Sequence, residues 1–95
     1  MQDLNVTLVQ ANLLWENTSG NLSHFEKLFE KITTTDLIIL PEMFTTGFTM
    51  QSKSFADCME GKSVNWMRSQ EEKKQAVITG SLIIEDDGKY FNRLI

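Results

Sequence analysis

The segment Asp36-Leu37-Ile38-Ile39-Leu40-Pro41-Glu42-Met43-Phe44 decides the fold. Leu37 to Leu40 form an apolar run too short for a helix, and it reads as a buried strand. Asp36 bounds the run on one side and Pro41 on the other. Proline has no N–H to give to a ladder, so the strand must end and the chain must turn. That turn lifts the next side chain, Glu42, off the sheet. Open α/β sheets hold their ligands just beyond the carboxyl ends of the strands, which makes Glu42 the first candidate catalytic group. An acid in a loop, or in the first turn of a helix, fits the same spacing without any chemistry.

Upstream, Leu4 to Gln10 carries Val6, Leu8 and Val9 and reads as a first strand. The polar stretch Glu16 to Gly20 leads into a helix. Leu22, Phe25, Leu28, Phe29 and Ile32 recur at steps of three and four, so they share one face. Asn21 or Ser23 can cap this helix, and Ser23-His24-Phe25-Glu26 fits a capping box. Thr33-Thr34-Thr35 is β-branched and is expected to end the helix before the Asp36 strand. Strand, crossover helix and strand make a βαβ unit with parallel strands.

Downstream, Thr45 to Gly61 reads as a loop containing Gly47, Phe48 and Met50. Ser63 is the expected cap of a second helix running to about Lys74. Its apolar face is short (Val64, Met67 and Trp66) and Ser69 to Lys74 is polar, which predicts a surface helix. Ala76 to Ile84 reads as one strand in which the small pair Gly80-Ser81 signals close backbone approach. Asp87-Gly88 predicts a hairpin turn of the primed type, with the return strand beginning at Tyr90.

Composition narrows the function classes. Nine basic and thirteen acidic residues give a net charge of −4, and no Lys/Arg cluster exists to engage phosphate backbones. No run of about 18 apolar residues suggests a membrane span. The N-terminal Met1-Gln2-Asp3 lacks a basic leader region, and a single cysteine forbids an internal disulfide; both fit a cytoplasmic protein. The chain stops at Phe91-Asn92-Arg93-Leu94-Ile95, inside an apolar strand, so residues 1–95 are expected to be a fragment of a longer protein.

Taken together, the strand Val6 to Gln10, the segment Asp36 to Glu42, the pair Gly47-Phe48, Ile78-Thr79-Gly80-Ser81-Leu82 and Tyr90 to Ile95 resemble the nitrilase (carbon–nitrogen hydrolase) superfamily. Their order and spacing cover nearly the whole chain. The wording Leu40 to Phe48 is most similar to the ω-amidase branch, which hydrolyses terminal amides of α-keto acids such as 2-oxoglutaramate. The resemblance implies an α/β fold, with residues 1–95 as the incomplete N-terminal portion of a single α-β-β-α sandwich domain. It implies a small-molecule amide substrate, no metal or organic cofactor, and a homo-oligomer.

The implied chemistry uses a Glu, a Lys and a Cys. The Cys thiolate attacks the amide carbonyl and releases ammonia, Glu moves the protons, and the Lys ammonium stabilises charge on oxygen. Glu42 matches the general base. The positions of the lysine and cysteine lie beyond Ile95, so the fragment alone is expected to be inactive. The resemblance also puts Phe48 in the substrate pocket, where the family often has a tyrosine; packing in the core is the competing reading. Phe44, Asn92 and Arg93 read as structural, and Trp15 and Trp66 as packing residues.

Other candidates fare worse. Cys58 sits between Asp57 and Met59-Glu60, where acids disfavour a thiolate. His24 has no second metal ligand at helical spacing. Lys62, Lys73, Lys74 and Lys89 read as solvated surface, and Glu85-Asp86-Asp87 lacks the alternation of a calcium loop. The rival to an amidase is a non-catalytic α/β binding or interaction module.

Overall fold

The structure, a computed structural model, describes residues 3–95. Three short strands, β1 (Val6–Leu8), β2 (Leu37–Ile39) and β3 (Val77–Thr79), form a parallel sheet in the order β1-β2-β3. The helix α1 (Thr18–Phe29) joins β1 to β2, as the βαβ reading expects. A short α2 (Ser52–Phe55) and a longer α3 (Lys62–Lys74) join β2 to β3. The chain then enters a separate antiparallel hairpin, β4 (Ser81–Asp86) and β5 (Lys89–Leu94).

Strand register explains the layers. Thr7, Ile38 and Ile78 align across the parallel sheet and share a face, because successive side chains alternate. Ile38 and Ile78 are buried there against Leu22, Phe25 and Phe29 of α1 and Val64 and Met67 of α3. Leu82 and Ile84 of the hairpin join the same core. Each buried aliphatic or aromatic side chain contributes about 1.5–3 kcal/mol by leaving water. The other face carries Leu8 and Val77, which are 68% and 57% exposed.

Several local expectations are corrected. Helix α1 begins a turn early, because Asn17 Oδ1 accepts the Gly20 N–H at 2.9 Å. Asn21 and Ser23 are therefore not caps, and Glu26 instead accepts a hydrogen bond from Gln70 Nε2 at 3.0 Å. The helix also ends at Phe29, ahead of the threonine run, with Ile32 O accepting from Lys74 Nζ. Helix α3 starts at Lys62, and the expected cap Ser63 is buried within its first turn. Asp57 does the capping from outside: its Oδ2 accepts the Ser63 N–H at 2.7 Å.

Helix α3 is also more than a surface helix. Ser63, Val64, Met67 and Gln70 are buried, and Gln70 uses its amide to bridge to α1. Finally, the single strand expected from Ala76 to Ile84 is two strands in two sheets. The break falls at Gly80, where an added Cβ would lie 3.0 Å from both Leu40 Cβ and Phe44 Cδ1. The close approach is real: a side chain at this position would have to push Leu40 and Phe44 aside where the chain passes from one sheet to the other. The expected primed turn is present, with φ of +52° at Asp87 and +75° at Gly88.

Candidate active site

Strand β2 delivers Glu42 as its sequence dictates. The last ladder bond runs from the Leu40 N–H to Thr79 O at 2.9 Å, and Pro41 then ends the strand. Glu42 follows in the turn with its side chain exposed. The residue after it, Met43, adopts φ = +49°, a left-handed conformation unusual for a side chain of this size. Such a residue costs about 1–2 kcal/mol. Two hydrogen bonds accepted by Ser81 offset this, at about 1 kcal/mol each. The Met43 N–H donates to Ser81 Oγ at 2.9 Å, and the Phe44 N–H donates to Ser81 O at 3.2 Å.

Phe44 then anchors the turn. Its fully buried ring meets Phe25 edge-on at 5.9 Å and lies at 6.1 Å from Trp66. The structural reading of Phe44 and the packing reading of Trp66 are both met. Glu42 thus stands on a backbone fixed from below by aromatic packing and from the side by β4.

Its carboxylate is held as well. Asn92 Nδ2 donates to Glu42 Oε1 at 2.9 Å, a contact between β5 and the end of β2. Asn92 had been expected to be structural only. No local pattern signals this contact, because it depends on how β5 lies against the turn after β2. Its neighbour Arg93 is structural: it pairs with Asp86 at 3.2 Å and covers the Phe91 ring at 5.1 Å.

Phe48 does not pack in the core. It is 73% exposed, and its carbonyl accepts the Trp15 indole N–H at 2.8 Å. Trp15 is itself 67% exposed, so its expected packing role is replaced by that hydrogen bond. The two rings flank a cleft of about 280 Å³ that Glu42 does not line. A second hollow of about 240 Å³ is lined by Met43, Thr49, Phe91 and Asn92, next to the glutamate. Thr49 borders both.

The weaker candidates fall where the sequence suggested. Cys58 is exposed, with its N–H bonded to Asp57 Oδ1. His24 is exposed and stacks beside Phe25. Lys62 donates to Ser19 Oγ, Lys73 faces Glu26, and Lys89 opens β5 at the surface. No helix among the described residues is long and apolar enough to cross a membrane.

Comparison with known proteins gives this geometry a family. The carbon-nitrogen hydrolase family model matches residues 5–95. Omega-amidase YafV of Escherichia coli (strain K12) is 37% identical over 95 residues, which is 100% of this chain and 37% of that protein. The protein of the same name from Yersinia enterocolitica is 38% identical over the same share of each chain. Among solved structures, XC1258 from Xanthomonas campestris is a CN-hydrolase superfamily protein with an arsenic adduct in its active site. It matches with a TM-score of 0.94 and 39% identity, covering 99% of this chain and 36% of that one. An N-terminal amidase shares the fold at 22% identity and a TM-score of 0.87, over 96% of this chain and 24% of its own. The chain spans 37% of the length of the curated relatives it matches.

Proposed function

Since the chain belongs to the carbon–nitrogen hydrolase family, we propose that the complete protein hydrolyses a non-peptide amide and that Glu42 is its general base. The observation that carries this reading is the placing of Glu42: directly past a parallel strand, on a turn held by Ser81 and Phe44. A carboxylate there can take a proton from a thiol nucleophile, give it to the leaving amine, and then activate water. The thiol and a charge-stabilising lysine belong to residues outside 1–95. Phe48, exposed beside its cleft, would contact the substrate.

The substrate class is the ω-amide of an α-keto acid. The wording Leu40 to Phe48 and the likeness to two proteins named omega-amidase support this choice. A cytoplasmic homo-oligomer working without a metal or organic cofactor completes the proposal.

The test is ammonia release by the complete protein from ω-amides of α-keto acids, set beside simple aliphatic and aromatic amides. Turnover is expected with the α-keto amides, and none from residues 1–95 alone, which hold a base without its nucleophile. Silence of the complete protein on every amide would instead favour a binding module.

A further inference from the structure

Among the described residues, the side chain that holds the Glu42 carboxylate comes from the other sheet. Asn92 lies in β5, and its Nδ2 reaches Glu42 Oε1 across 50 residues of sequence. An ionised carboxylate only accepts hydrogen bonds, so the amide must turn its N–H towards it. The bond is charge-assisted and therefore strongly directional. Both residues are exposed, so water replaces the bond at little loss of stability. Its consequence is geometric.

Strand pairing shows why Asn92 can do this. Ser81 lies opposite Leu94, and Ile83 lies opposite Asn92. Ser81 and Asn92 are diagonal neighbours, and side chains so placed project from the same face of a hairpin. That face therefore holds Glu42 twice. Ser81 fixes the backbone just after it, and Asn92 fixes the carboxylate. The bond favours one arrangement of the glutamate side chain before any substrate arrives.

We propose that Asn92 is a positioning residue for Glu42: by occupying Oε1 it leaves Oε2 as the oxygen that takes and returns the proton. The inference rests on the assignment of Glu42 as general base. It goes beyond that assignment by naming the residue that aims the base and the oxygen that works.

The experiment compares Asn92→Ala, Asn92→Asp and Glu42→Gln in the complete protein, reading kcat, KM and thermal unfolding. Asn92→Ala is expected to lower kcat by roughly 10- to 100-fold with KM unchanged, the scale of a misplaced reacting group. Asn92→Asp keeps the size of the side chain but replaces the donor with a like charge, which pushes the carboxylate away. Its kcat is expected to fall below that of the alanine variant. Both variants are expected to unfold within about 2 °C of the wild type.

A packing role predicts the reverse order, because aspartate fills the space that alanine leaves empty. The proposal is overturned if Asn92→Asp is as active as Asn92→Ala or more so. A loss confined to KM, or one that follows a fall in unfolding temperature, overturns it too. Glu42→Gln separates the two levels. If that variant is inactive and the Asn92 pair comes out in the wrong order, only the positioning role fails. If it retains turnover, the general-base assignment falls and the positioning role falls with it.

Discussion

Met43 is buried in a left-handed turn, and its N–H has Ser81 Oγ as partner. Removing that oxygen leaves a buried donor unsatisfied beside a backbone that is already strained. Ser81→Ala is therefore expected to destabilise the protein by about 1–3 kcal/mol, read as a shift in the denaturant midpoint at constant slope. A neutral result would mean that the turn stands without Ser81. The place of Glu42 past the end of β2 was legible because proline and strand length are local signals. The roles of Ser81 and Asn92 were hidden, since both depend on how a second sheet is set against the first. Trp15 was misread for a similar reason. Its indole N–H found a carbonyl 33 residues away, and the ring stayed in water.

Among the elements, the parallel βαβ unit and the Asp87-Gly88 hairpin were legible, because periodicity and turn chemistry act over a few residues. The caps were not. The sequence points to Asn21 or Ser23 as the α1 cap, whereas the cap in the structure is Asn17. For α3 the cap comes from Asp57, six residues before the N–H it accepts. Asp57→Ala is accordingly expected to lower stability by about 0.5–2 kcal/mol, since Asp57 accepts from both Cys58 and Ser63. Thermal unfolding of Asp57→Asn, which keeps an acceptor oxygen, is expected to lie closer to the wild type. An asparagine variant as unstable as the alanine one would assign Asp57 a role other than capping. The switch of sheets at Gly80 was half legible. The small residue announced close approach, but nothing in the apolar pattern marks a change of sheet.

Across the whole molecule, helices α1 and α3 cover one face of the parallel sheet and leave Leu8 and Val77 in water. Val6 is exposed on the same face, and apolar side chains left in water on one sheet face favour association. Residues 1–95 in isolation are expected to self-associate with rising concentration, and Leu8→Lys to weaken that association, as read by sedimentation. Unchanged sedimentation of the lysine variant would show that the bare face is not the surface involved. Glu42 lies on the edge between two sheets, so that seating the hairpin on the core also sets its carboxylate.

The most direct measurement is the steady-state rate of amide hydrolysis by Glu42→Gln in the complete protein, with its unfolding temperature recorded alongside. The glutamine keeps the shape and cannot accept the proton. Loss of at least about 10²-fold in kcat, with unfolding unchanged, is the predicted result. A well-folded Glu42→Gln variant that turns over amide at the wild-type rate would contradict the account.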